Sequence, residues 1–231
     1  MSEQEFDKFA TEYRQLHAQN IAASGEAPEY FAAYKMRDFS ALVAELGADP
    51  MGTYLDYGSG VGASIKSFQE HLPGARLVCG DVSLESLNLS RESHGDGQRY
   101  LHVTEDGLDL EPQSLDGAFA CCVFHHIPEE QHQAALQDLR RVLKPGGLLM
   151  IYEHNPFNPL TVRAVNTCPL DENAVLIRGS EMRRRCTLAG FRDTRLDYRV
   201  FFPAALRSLR FAEDGLRWLP LGAQYCLVGR A

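Results

Sequence analysis

The sequence predicts an α/β fold: a mostly parallel sheet with helices on both faces. Three observations carry this. Strand-like and helix-like stretches alternate after about residue 52, a glycine-rich turn joins the first strand to the first helix, and 231 residues with 45% apolar and 23% charged side chains can build one sizeable core. The chain reads as a single domain over 1–231, with an N-terminal helical cap at 1–48, a core at 49–231 and a substrate loop at about 154–178.

Taken in order, Phe6, Phe9, Tyr13 and His17 fall at helical spacing in the leading segment, followed by Tyr30, Phe31, Tyr34 and Lys35. Thr53 to Tyr57 is prone to form a strand and enters the run Leu55-Asp56-Tyr57-Gly58-Ser59-Gly60-Val61-Gly62. Ile65, Phe68 and Leu72 form a helical stripe that ends at Pro73-Gly74. Ala75 to Gly80 is a second strand ending in Asp81 and Val82, and Ser83 caps the helix of Leu84, Leu87 and Arg91. Leu115 to Ile127 holds a further strand with Cys121 and Cys122 inside it. Leu136, Leu139 and Leu143 make a third helix, stopped by Pro145-Gly146-Gly147. Ser180 to Ala189 makes a fourth, stopped by Gly190, and Asp193 to Phe202 and Gln224 to Gly229 are final strands.

The glycine run carries the chemistry. Glycines at alternate positions let the backbone approach a ligand closely, and the following helix aims its N-terminus at the same spot. The dinucleotide fingerprint requires G-x-G-x-x-G and a phosphate, whereas this run is D-x-G-x-G-x-G. Asp56 would repel a pyrophosphate and suits a cation. Asp81, at the tip of the second strand, is placed to accept ribose hydroxyls, because ligands of open α/β sheets sit at the carboxyl ends of the strands.

The run resembles the first motif of the class I S-adenosylmethionine-dependent methyltransferases. Glu105-Asp106-Gly107, Leu115-Asp116 and Lys144-Pro145-Gly146-Gly147 follow in the order and spacing of the same superfamily, over roughly Tyr54 to Glu153. Tyr57, Leu115 and Gly107 depart modestly from the usual residues. The resemblance implies a Rossmann-like seven-stranded sheet in the order 3-2-1-4-5-7-6, with S-adenosyl-L-methionine as cofactor and S-adenosyl-L-homocysteine as product. It implies a cofactor pocket of Asp56, Gly58, Ser59, Gly60, Gly62, Asp81, Val82, Asp106, Gly107, Cys121 and Cys122, with Tyr13 reaching in from the leading helix. It also implies a histidine at the acceptor: His126 as general base, with His125 second, both following the fourth strand. Histidine has the pKa suited to removing an acceptor's proton near neutrality. The bland alternative gives the two histidines a packing role. Glu153 and His154 offer a further base or a polar contact to the acceptor.

The implied reaction is methyl transfer to an oxygen or nitrogen of a small metabolite or biosynthetic intermediate, with sugars and secondary metabolites among the candidates. The alternative is a non-catalytic, regulatory S-adenosylmethionine-binding protein of the same fold. A nicotinamide oxidoreductase is disfavoured by the glycine spacing. A nucleic-acid partner is not expected at a formal net charge of −8, and Arg183-Arg184-Arg185 reads as a solvated helix surface. Asn155-Pro156-Phe157 resembles the motif of base methyltransferases only superficially, because it has one proline and follows the fifth strand rather than the fourth. The six cysteines form no C-x-x-C pair, so neither a metal site nor a disulfide is expected. No apolar run is long enough for a membrane span, and Met1 to Ala10 is unlike a signal peptide. A cytoplasmic protein acting on a small molecule, without membrane contact, is the expectation; oligomeric state is not legible.

Overall fold

The computed structural model describes residues 24–231 together with Leu16, Gln19 and Ile21. Tyr13, Phe6, Phe9 and His17 lie outside the described residues. The first described long helix, α1 (Pro28–Glu45), starts on a proline whose missing N–H would be unsatisfied in the first turn anyway. It buries Met36, Phe39, Leu42 and Val43, the helical cap expected ahead of the core.

β1 (Thr53–Tyr57), α2 (Ile65–His71), β2 (Arg76–Asp81), α3 (Leu84–His94) and β3 (Arg99–His102) build the first half. β4 (Leu115–Cys121), α4 (His132–Val142), β5 (Leu143–His154), α5 (Pro159–Thr167), α6 (Gly179–Leu188), β6 (Arg192–Arg199), a short α7 (Glu213–Leu216) and β7 (Gln224–Arg230) complete the order. The seven strands form one sheet, β3-β2-β1-β4-β5-β7-β6. β1 pairs in parallel with β2 and β4, and β7 runs antiparallel between β5 and β6. The chain leaves β1 towards one edge and β4 towards the other. That reversal opens a crevice at their carboxyl ends.

Side chains alternate across each strand, so the sheet has two cores. Leu55, Ala118, Leu149 and Ile151 face Leu136, Leu139 and Val142 of α4 and Met182 and Cys186 of α6. Tyr54, Phe119, Leu148 and Met150 face Met36 and Phe39 of α1 and Ile65 and Phe68 of α2. No helix among the described residues is long and apolar enough to cross a membrane.

Several boundaries differ from the sequence reading, each for a local reason. Leu143 opens β5 rather than closing the third helix: α4 stops at Val142, and Leu143 has extended backbone angles. The fourth helix runs one residue earlier at each end, Gly179–Leu188, and Gly190 follows it with φ +98° as expected. β6 ends at Arg199, not Phe202, because Val200 has φ +60° and cannot continue a strand. Cys122 lies beyond β4 with the same left-handed φ of 60°. The segment 154–178 is no open loop; it contains α5 and a 3-10 turn at Pro169–Asp171.

Candidate active site

The crevice is a cavity of about 1350 Å³ at the carboxyl ends of β1, β2, β4 and β5. Pockets for a single small ligand run to roughly 300–1,000 Å³, so there is room for a nucleoside cofactor and an acceptor together. Gly58, Ser59, Gly60, Asp81, Val82, Asp106, Gly107, Cys121, Cys122, His125 and His126 all line it. Asp56 and Gly62 do not.

The glycine turn follows from close approach. Gly58 has φ +76°, and a Cβ there would sit 2.5 Å from Val123 Cγ2. Gly62 has φ +83° and faces away from the cavity, where a Cβ would strike Ser90 Oγ of α3 at 2.3 Å. The turn is tied to β2 twice over. The N–H groups of Gly58 and Ser59 donate to Gly80 O at 2.8 and 3.0 Å, and Asp81 Oδ2 accepts the Gly60 N–H at 2.7 Å. Asp81 Oδ1 takes the Ser83 N–H at 2.9 Å, and Ser83 Oγ caps α3 by accepting from Ser86 N at 3.0 Å.

Asp56 lies behind this turn, 2% exposed, and its Oδ2 has no hydrogen-bond donor. Burial first, then the neighbouring Asp81 carboxylate, pushes its carboxyl up to about 7. A buried carboxyl directly behind the turn, one of whose oxygens lacks a donor, favours a ligand with a cationic end such as an amino group or a sulfonium. It does not fit a phosphate.

Beyond the turn, β4 and β5 position a second cluster. Glu153 Oε1 accepts the N–H groups of Val123 (2.9 Å) and Phe124 (2.7 Å), and Oε2 pairs with His125 Nδ1 at 2.5 Å. Both side chains are buried to within 1%. Asp171, carried in by the 3-10 turn after α5, places Oδ1 at 3.5 Å from His125 Nε2 and 3.4 Å from His126 Nε2. Burial would strip His125 of its proton, but Glu153 outweighs burial and raises its pKa. His126 is lowered, chiefly by burial, and is therefore a neutral imidazole near pH 7. The ring of His154 lies 5.1 Å from that of His125 and lines the cavity.

Cys122 Sγ sits among these groups, accepting from Lys35 Nζ and Gln224 Nε2, each at 3.4 Å. Burial raises the thiol, yet the Lys35 ammonium and then His154 outweigh it and bring its pKa to about 7. The sequence reading treated Cys122 as a buried strand hydrophobe as well as a pocket residue; its left-handed backbone turns it into the cavity as a polar group. Asp171, Gln224 and Val200 line the cavity without having been singled out, since each arrives from a distant stretch of chain. Asn155, in the superficially base-methyltransferase-like triplet, is fully buried and structural: its Nδ2 donates to the carbonyls of Pro220 (3.2 Å) and Gly222 (2.8 Å).

Comparison with known proteins agrees with this geometry. A family described as a methyltransferase domain matches residues 55–151. The ubiquinone/menaquinone biosynthesis C-methyltransferase UbiE of Syntrophotalea carbinolica is 32% identical over 124 residues, 52% of this chain and 52% of that protein. The ribosomal RNA small subunit methyltransferase C of Pseudomonas aeruginosa is 30% identical over 141 residues, 57% of this chain and 42% of that protein. The chain thus spans about half the length of the curated relatives it matches. A crystal structure of an S-adenosylmethionine-dependent methyltransferase from Archaeoglobus fulgidus superposes with a TM-score of 0.67 at 14% identity, covering 88% of this chain and 94% of that one. Residues 55–151 thus match a methyltransferase domain, and the sheet order and glycine turn around them are consistent with the class I S-adenosylmethionine-dependent methyltransferases.

Proposed function

We propose that this chain transfers a methyl group from S-adenosylmethionine to an oxygen or nitrogen of a small acceptor bound beside His126. One observation carries the reading: a single cavity is lined both by the cofactor-type turn with Asp81 and by the imidazole and carboxylate cluster of His125, His126 and Asp171. Bound S-adenosylmethionine supplies a methyl group on a sulfonium, already activated for in-line displacement. The protein's part is then to hold the partners collinear, worth on the order of 7–11 kcal/mol, and to take charge of the acceptor's proton. Asp81 is the ribose acceptor in this reading and Asp56 the partner of the cofactor's cationic end. His126, neutral near pH 7, has a lone pair for the proton of a hydroxyl or amine.

The cavity supports a small acceptor rather than a nucleic acid. Asp81, Glu105, Asp106, Asp138 and Asp171 line it against Lys35 and Arg163, a balance that repels phosphates. The curated relatives are named for acceptors as different as quinone precursors, ribosomal RNA, thiols and trans-aconitate, so the acceptor class rests on this chain's own lining.

The test is calorimetry with S-adenosylhomocysteine and, separately, NADH, followed by a screen of hydroxyl- and amine-bearing small molecules for S-adenosylhomocysteine release. Binding of S-adenosylhomocysteine alone is expected. Asp81→Ala should weaken it tenfold or more, since a hydrogen bond to a charged group contributes roughly 1.5–3 kcal/mol. His126→Ala should lower kcat with cofactor affinity nearly intact; loss of both together would assign the histidine a structural role.

A further inference from the structure

We propose that His125 Nε2, His126 Nε2 and Asp171 Oδ1 form a binding site for a divalent cation of the zinc type, open to the acceptor cavity. The inference rests on the methyl-transfer reading, and it gives His126 the role of ligand in the loaded enzyme.

The distances are the first argument. Asp171 Oδ1 lies 3.5 Å from His125 Nε2 and 3.4 Å from His126 Nε2, longer than the roughly 2.7–3.2 Å of an N–H···O bond. Two ligand atoms bound to one tetrahedral cation at about 2.1 Å stand ~3.4 Å apart. The same arithmetic for an octahedral site at about 2.1 Å gives ~3.0 Å. Both separations from Asp171 match the tetrahedral value, and the three ligand atoms all lie within 4.8 Å of one another.

The second argument is the shell behind the ligands. Glu153 Oε2 engages His125 Nδ1 at 2.5 Å. A carboxylate on the far nitrogen of an imidazole is the arrangement that fixes the tautomer and aims the other nitrogen's lone pair at a metal. His125 is 2% exposed, and its Nε2 has no hydrogen-bond partner. A cation between His125 Nε2 and Asp171 Oδ1, 3.5 Å apart, would be held by one electron pair from each.

Two imidazoles and a carboxylate are a borderline donor set suited to zinc, and three protein ligands leave a fourth position for an acceptor oxygen. There the cation lowers the pKa of the acceptor hydroxyl. The hydroxyl proton passes to solvent water, the O–CH3 bond forms, and the S–CH3 bonding pair leaves with sulfur. The sequence reading expects no metal site, on the absence of a C-x-x-C pair, which bears on thiolate ligands alone. This donor set comes from the end of β4 and from the turn after α5, and no local spacing reveals it.

The experiment is calorimetric titration of the chelator-dialysed full chain with Zn2+ alone, with the Co2+-loaded protein followed by visible absorption. One equivalent should bind. Cobalt should give the intense visible bands of a tetrahedral site without a thiolate charge-transfer band, which excludes the cysteines as the source. His126→Ala and Asp171→Asn should each weaken Zn2+ binding tenfold or more and abolish the cobalt spectrum. S-adenosylhomocysteine binding by the same variants verifies that they fold. No saturable Zn2+ binding, or binding that both variants leave unchanged, overturns the proposal. If the dialysed protein binds S-adenosylhomocysteine and transfers methyl groups without metal, the cation falls and the methyl-transfer reading stands. If it binds no S-adenosylhomocysteine yet binds Zn2+, that reading falls instead.

Discussion

Asp56 carries opposite obligations to fold and to ligand. Its carboxyl is raised to about 7, above an unfolded value of about 3.9, so between those two pH values the folded chain holds the extra proton. Stability from this group therefore falls as pH rises through that window, and the full cost is present above pH 7. Asp56→Asn should raise the Tm of the cofactor-free protein at pH 8, have little effect on it at pH 4, and weaken S-adenosylhomocysteine binding at least tenfold. Scanning calorimetry at the two pH values, with a binding titration, checks all three. Cys122 offers a second probe. With a thiol pKa of about 7, its carboxymethylation rate should level off above pH 7 instead of climbing past the ordinary value of about 8.5. Lys35→Ala should shift that plateau upward, because it removes the ammonium 3.4 Å from the sulfur. Neither behaviour was legible in the sequence, where Cys122 reads as a residue of an apolar strand and, by resemblance, as part of the cofactor pocket.

At the level of elements, most of the core was readable because it is local. β1, the Ser83 cap and the Gly190 stop depend on neighbours a few residues away, and they fall where periodicity and capping place them. The segment after β5 was not readable as structure. Asn155 and Asn158 there fold the chain by bonding to carbonyls of the 220–222 turn, far away in sequence. Asn158 Oδ1 also accepts the N–H groups of Leu160 (3.0 Å) and Thr161 (3.1 Å), starting α5. Asn158→Ala should cost about 1 kcal/mol, seen as a lower urea midpoint. Because α5 leads into the turn that bears Asp171, the same variant should raise the acceptor KM more than it lowers kcat.

Across the molecule, the sheet divides two cores, and the order of its strands was implied by a resemblance in motifs, not by any pairing signal. Phe119 stands at the centre of one core, fully buried, with Phe39 at 4.9 Å and Phe68 at 6.0 Å between ring centres. Phe119→Ala should cost about 3–5 kcal/mol by chemical denaturation. The half of the cavity proposed for the cofactor is local in sequence, because one glycine run and one strand tip make it. The half proposed for the acceptor draws on α1, β4, β5, the turn after α5 and β7, which only folding brings together. Glu153 is where these scales meet: one carboxylate takes two N–H groups from the exit of β4 and steers an imidazole with its other oxygen. The sheet's own strand pairing is thus the jig that aims His125 into the proposed acceptor site. On heating, such an enzyme has no separate, earlier failure of this part of its chemistry; activity and sheet should be lost together, at one temperature.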